Sequence, residues 1–399
     1  MRLIGTAAGM FLLTLFLGIS QPGPVVGAQP QNGATIFRFD TFGDEQLWTD
    51  TLRLHETLQN LSPAGALGLG LKVDADALPP PLINALKAGQ VDVNDPRVTR
   101  RLLEMDAVVG VVAKVSGDRV KSVGITCAIC HSTVDDSLAP GIGRRLDGWP
   151  NLDLDPGKIA AAAPGFPDGL REEFRAWGPG KYDARHHIFN GTNLVVRHTP
   201  SLPVVIPPAY GLQGVGFETF TGDGPISYWN NYVGVTQMGG QGNFSDPRIN
   251  VSVMQKPDRV TSKLAALLDY QLSLRAPSPP AGSFDGTAAQ RGQVIFNGAA
   301  RCSTCHIPPT YTDVFSGPDP RVPVLHLAQE IGADPEYASR SATGRYRTTP
   351  LRALWQHAPY FHDGRAADLL AVVNHYNTWF QLGLTESQKA DLVEFLKSL

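Results

Sequence analysis

All four cysteines of this 399-residue chain fall in two copies of one pentapeptide. The copies read Cys127-Ala128-Ile129-Cys130-His131 and Cys302-Ser303-Thr304-Cys305-His306. The pattern C-x-x-C-H is the attachment signature of a c-type haem. Two thiols three positions apart share one turn of chain, so each can form a thioether to a haem vinyl group. The histidine that follows lies under the porphyrin and binds iron through an imidazole nitrogen. A four-cysteine zinc site would use the same thiols, but it leaves both histidines without a role. A thioredoxin-like pair needs a surrounding βαβ pattern, which neither copy has. The expectation is therefore two covalently held haem c groups. Cys127, Cys130, Cys302 and Cys305 attach them, and His131 and His306 are the proximal iron ligands.

Such a group is attached outside the cytoplasm, and the N-terminus agrees. Arg2, an apolar run from Met10 to Leu17 and the small-x-small stretch Val26-Gly27-Ala28 read as a secretory signal peptide over residues 1–28. The run is too short to span a bilayer, so the expected address is the periplasm, with no membrane span after cleavage. Removing one basic residue from the 34 present leaves 33 − 37 = −4. Without a basic patch or arm, nucleic acid is excluded as a partner.

With 41 glycines and 32 prolines, the chain is rich in loops. Its clearest linker is Ala276-Pro277-Ser278-Pro279-Pro280-Ala281-Gly282. Two domains follow, an N-terminal haem domain over 29–280 with loop insertions and a C-terminal cytochrome c domain over 281–399. The expected fold class is mainly α, two cytochrome-c-like haem domains with the first enlarged by long loops. Helical spacing of apolar residues runs through Glu45–Leu61, with Asp44 as its cap, and through Pro81–Ala88, Val98–Ala107 and Asp168–Trp177. Val108–Val115 reads as a strand leading to the first motif. Thr287–Phe296 reads as a helix entering the second. Thr385 and Gln388 form a capping box before a stripe of Leu392, Phe395, Leu396 and Leu399. An early helix carrying C-x-x-C-H with a late helix across it is how a small cytochrome c domain closes.

Sixth ligands are less constrained. For the first haem, Met238 is a candidate, because Gly239 and Gly240 allow close backbone approach. His186, His187 and His198 compete with it. Arg144 and Arg145 are candidates to pair with a haem propionate. Trp177 is a candidate to lie between two haems, although most tryptophans are core residues.

The C-terminal part reads Thr349-Pro350-Leu351-Arg352, then Ala358-Pro359-Tyr360-Phe361-His362-Asp363-Gly364, then Leu369–Asn377. Over roughly Gly286–Leu399 this resembles the bacterial di-haem cytochrome c peroxidase and MauG superfamily, and the first domain resembles it only through its C-x-x-C-H. The resemblance implies that Tyr376, at a position filled by Met in the peroxidases and by Tyr in the MauG branch, is the sixth ligand of the second haem. His375 is its neighbour and rival. A phenolate favours ferric iron and lowers the potential. The resemblance also implies a Ca²⁺ ion bound partly by the carbonyls of His357 and Pro359, and a structural role for His362.

The chain departs from the peroxidases too. They carry a His about sixteen residues after the first motif that leaves the iron on activation, and Asp147 stands there instead. They use a Glu near the open haem face, for which Glu172, Glu173 and Glu218 are candidates only by residue type. The function expected is electron transfer and redox chemistry of the peroxidase/MauG type. The alternative is an electron-carrier module serving a periplasmic dehydrogenase. The partner class is a redox protein, namely a small cytochrome, a cupredoxin or a dehydrogenase.

Overall fold

The computed structural model describes residues 32–319 and 321–399. The signal peptide expected over 1–28 lies outside them. The helices Gly286–Asn297, Leu369–Trp379 and Glu386–Ser398 close the C-terminal part. Asp285 caps the first of these through its carboxylate, which accepts from the Thr287 and Ala288 amides. Thr385 and Gln388 make the expected capping box on the last. These two helices cross at Gly292, where an added Cβ would lie 2.0 Å from the Asp391 carbonyl oxygen. No other residue type fits that crossing. Phe296 and Phe395 then pack edge to face at 5.1 Å and anchor the C-terminal core.

The N-terminal part is more mixed than a mainly α description implies. Every strand among the described residues lies before residue 255, and every sheet is a two-stranded ribbon. The expected strand before the first motif is Val111–Ser116, paired with Arg119–Ile125 as a hairpin that delivers Cys127. The stretch Glu45–Leu61 is not one helix. A wide turn over Gln46–Thr51 and a helix over Leu54–Asn60 meet at Arg53, whose φ is 61°. The Thr49 hydroxyl explains the break, since it donates to the Val123 carbonyl at 2.8 Å and accepts from the Val123 amide at 2.7 Å. Docking to the hairpin overrides helical propensity. Asp44 likewise does not cap through its side chain; its carboxylate accepts from the Ile125 amide at 3.1 Å.

The linker is irregular backbone from 274 to 280. The segments on either side of it share a small core of Val204, Ala328, Tyr337, Ala338 and Tyr346. Two ion pairs cross as well, Glu218 with Arg347 at 2.8 Å and Asp183 with Arg340 at 3.5 Å. No helix of the described residues is long and apolar enough to cross a membrane.

Candidate haem site

Both C-x-x-C-H motifs open on one continuous cavity of about 840 Å³ with a largely apolar wall. A wall of this kind suits a flat apolar cofactor. In the first motif, Cys127 begins a single turn that runs through Ala128–His131. In the second, Arg301 takes a left-handed conformation and Cys302–Thr304 forms a 3₁₀ turn. Each turn brings both thiols and the histidine to the same wall.

The two imidazoles are held alike. His131 places Nδ1 3.1 Å from the Pro207 carbonyl, and His306 places Nδ1 3.0 Å from the Tyr311 carbonyl. A carbonyl oxygen only accepts, so Nδ1 carries the proton and Nε2 keeps its lone pair. Metal-bound histidines use the same arrangement to fix tautomer and ring orientation. Burial lowers the pKa of both rings, that of His131 to about 4. Burial also raises the thiols, Cys127 and Cys130 to about 12 and Cys302 to about 11. These are neutral groups aimed into an apolar space, and they fit a covalently attached porphyrin with an axial imidazole.

Tyr376 lines the cavity. Its hydroxyl has no hydrogen-bond partner among the described residues, and burial pushes its pKa up to about 12. His375, one residue earlier, turns away to the Ile331 carbonyl at 3.4 Å. Met238 also lines the cavity, at the end of a wide turn over Val233–Gln237, while its carbonyl accepts from Trp48 Nε1. Of the three candidate histidines in the first domain, His187 alone reaches the wall. His186 is buried behind it, with Nε2 3.3 Å from Glu173. His187 stands with Tyr182 and Gln237, whose side chains share a 3.0 Å hydrogen bond. Burial, with His186 beside it, lowers the His187 pKa to about 3. Sequence reasoning missed this trio as a group, because nothing local links three residues on separate elements.

Other candidates have other partners. Arg144 pairs with Asp135 at 2.9 Å and Arg145 with Asp74 at 3.0 Å, and neither lines the cavity. Trp177 stacks on Phe174 at 4.0 Å and donates to Ser201, away from the wall. Glu172 pairs with Arg175 at the surface and Glu173 accepts from the Ser201 amide. Glu218 alone of the three glutamates lines the cavity, and burial raises its pKa against the opposing effect of Arg347. Asp147 does not face the cavity. Its buried carboxylate accepts from Arg38 Nε, from Ser132 at 2.8 Å and from the Tyr270 hydroxyl. His362 is buried against Tyr337 and Tyr346, 3.3 Å from the Tyr346 hydroxyl. No backbone amide among the described residues donates to the carbonyls of His357 or Pro359 outside regular elements. Asp313, His326 and the Cys305 sulfur form a cluster of metal-ligand type, but Cys305 belongs to the attachment motif.

No protein-family profile matches the chain. It is 30% identical over 160 residues to the methylamine utilization protein MauG of Methylorubrum extorquens, covering 34% of this chain and 43% of that protein. It is 28% identical over 188 residues to the cytochrome-c peroxidase IdrP1 of Denitromonas iodatirespirans, covering 35% and 50%. The chain thus spans about half the length of the curated relatives it matches. Among solved structures, a MauG-like protein associated with microbial copper homeostasis is 22% identical over 38% of this chain and 62% of that one. The TM-score of 0.28 is too low to carry a fold assignment. With two C-x-x-C-H motifs on one wall and a MauG and a cytochrome-c peroxidase among the proteins it is similar to, the chain resembles the di-haem cytochrome c peroxidase/MauG-like superfamily.

Proposed function

We propose that the chain is a periplasmic di-haem c-type cytochrome that performs electron transfer and redox chemistry of the peroxidase/MauG type. One observation carries this reading: both motifs bring two thiols and an imidazole, its Nδ1 held by a backbone carbonyl, to the same largely apolar cavity. Haem c, when bound, supplies a one-electron redox centre at each motif. Cys127, Cys130, Cys302 and Cys305 fix the two groups, and His131 and His306 orient them. Tyr376 is the sixth ligand at the second motif, which favours the ferric state there. Met238 is the sixth-ligand candidate at the first.

Reducing a peroxide takes two electrons and two protons per molecule of substrate. His187, its Nε2 3.5 Å from the Tyr182 hydroxyl, would relay a proton as a neutral imidazole, accepting at one nitrogen and donating from the other, since burial disfavours its charged form. The electrons come from a redox partner, a small cytochrome, cupredoxin or dehydrogenase. A Ca²⁺ ion at the carbonyls of His357 and Pro359 belongs to the same reading. The two-domain division at 280/281 does as well.

The carrier reading has its own support in Asp147. The residue at the position of the departing histidine is held by Arg38, Ser132 and Tyr270. A chain without that movable ligand suits a carrier for a dehydrogenase. The resting ferric spectrum separates the two. A high-spin signal that changes with peroxide and azide supports the enzyme, whereas two low-spin centres inert to both support the carrier.

A further inference from the structure

At one spot on the largely apolar cavity wall, two arginines meet one carboxylate. Arg347 and Arg352 both line it, and so does Glu218. Arg347 donates to Glu218 at 2.8 Å and to the Phe217 carbonyl at 2.8 Å, and its Nε is buried with no partner. Among the described residues the Arg352 side chain makes one long hydrogen bond, 3.4 Å to the Gln213 carbonyl. Its stem crosses Gly211, where an added Cβ would stand 2.9 Å from Arg352 Cδ and 3.2 Å from Nη1. The bare backbone of Gly211, at φ +63°, is the seat on which the guanidinium lies.

The charges at this spot do not balance, with two cations against one anion. A partly buried guanidinium without an acidic partner of its own is disfavoured, and burial lowers the Arg352 pKa against the opposing effect of Glu218. Two further arginines, Arg301 and Arg365, line the cavity as well, Arg301 at an exposed position. Arg144 and Arg145 are paired away from the cavity, and Arg365 is held by Asp363 at 3.1 Å. The missing partner is an anion inside the cavity, planar enough to meet a guanidinium fork. We propose that Arg352, backed by Arg347, receives a carboxylate of the bound porphyrin, a haem propionate at the junction of the two chain segments. The assignment rests on the di-haem reading and adds to it the group that sets charge there. Glu218 shares the same cations and acts as the opposing charge.

The sign of the effect follows from Coulomb's law. Ferric iron carries one more positive charge than ferrous iron, so a nearby cation raises the reduction potential and a nearby anion lowers it. The experiment is spectroelectrochemical titration of both haems in the wild type, Arg352→Gln, Glu218→Gln and Gly211→Ala, each first checked by mass for two bound porphyrins. Arg352→Gln is expected to lower the potential of one haem and leave the other near its wild-type value. Glu218→Gln is expected to raise the potential of the same haem. Gly211→Ala displaces the guanidinium without removing it, is expected to shift that potential in the Arg352→Gln direction, and stands in if Arg352→Gln does not accumulate. A purely structural role would not give shifts of opposite sign on one haem. Unchanged potentials in Arg352→Gln and Glu218→Gln, or shifts of the same sign, overturn the assignment. Wild-type protein with fewer than two porphyrins overturns the di-haem reading itself, a separate outcome.

Discussion

His131 and Pro207 stand 76 positions apart in sequence, yet Nδ1 of the first lies 3.1 Å from the carbonyl oxygen of the second. That bond fixes the tautomer and turns Nε2 toward the cavity. His306 reaches the same state through Tyr311, five positions away. One motif is oriented by its own loop, the other by a distant segment that also forms the cavity wall.

His131→Gly and His306→Gly therefore each remove one axial imidazole and leave the thioether pair. The expected product keeps two porphyrins by mass and gains one high-spin haem in its absorption spectrum. Added imidazole is expected to restore the original signal. A spectrum identical to wild type in either variant would show that the ring assigned to the iron is the wrong one.

Tyr376 meets the cavity with an unpartnered hydroxyl and a pKa raised to about 12 by burial. The phenol thus keeps its proton unless iron displaces it, and proton and iron compete for one oxygen. Because the ordinary value is already high, near 10, lower pH favours the protonated, unbound form. The second haem is expected to lose its phenolate signal on the acid side. Tyr376→Phe is expected to abolish that transition and raise the second haem's potential, as read by absorption across pH and by redox titration.

How far the sequence reached can be judged residue by residue. The attachment motifs, the capping box at Thr385 and Gln388, and the closing helix pair rest on local spacing, and local spacing is visible in a linear chain. Glu45–Leu61 reads as one helix because its apolar positions fit that period. The break at Arg53 comes from the Thr49 hydroxyl binding Val123, 74 positions on. Asp74 claims Arg145 from 71 positions away, so its pairing was equally hidden. Arg352 is visible only as the last residue of Thr349-Pro350-Leu351-Arg352 and Arg347 not at all, because two arginines in a loop become unusual only once the wall around them is assembled.

Gly292 is one residue whose type the crossing of two helices dictates. Gly292→Ala puts a Cβ 2.0 Å from the Asp391 carbonyl oxygen, and backbone on both sides must move. A cost of about 1–3 kcal/mol is expected from overpacking of this kind. The gain in helix propensity, about 1 kcal/mol, offsets only part of it. The urea midpoint should fall at unchanged slope. A midpoint equal to or above wild type would mean that the helices do not press together here.

Asp147 is a structural anchor, with Arg38, Ser132 and the Tyr270 hydroxyl all donating to it. Asp147→Asn keeps the size and removes the charge. Loss of about 1–3 kcal/mol is expected from donors left poorly satisfied, toward the low end because Arg38 is partly exposed. The visible spectrum of the first haem should not change. A spectral change would place this carboxylate on the iron and contradict the geometry.

The pair Asp313 and His326, 2.9 Å apart beside Cys305, sets a pH window on stability. The hydrogen bond that His326 donates to Asp313 outweighs burial and holds His326 above the ordinary imidazole value. Burial would raise Asp313, but hydrogen bonds from His326 and Thr348 hold it below the usual carboxylate range. A raised histidine contributes stability that is complete below its unfolded pKa, about 6.5, and is lost as pH climbs through the folded value above that. A lowered carboxylate contributes stability that is complete above about 3.9 and is lost as pH drops through the folded value below that. The contribution is thus largest between about pH 4 and about pH 6.5. Urea midpoints measured from about pH 5 to about pH 9 should decline on the alkaline side. In His326→Gln the share of that decline due to the pair should vanish. His326 keeps some exposure whereas Asp313 is buried, so raising the ionic strength should shrink only part of the difference between wild type and variant. Parallel pH profiles for the two proteins at low salt would mean that the imidazole does not titrate against Asp313.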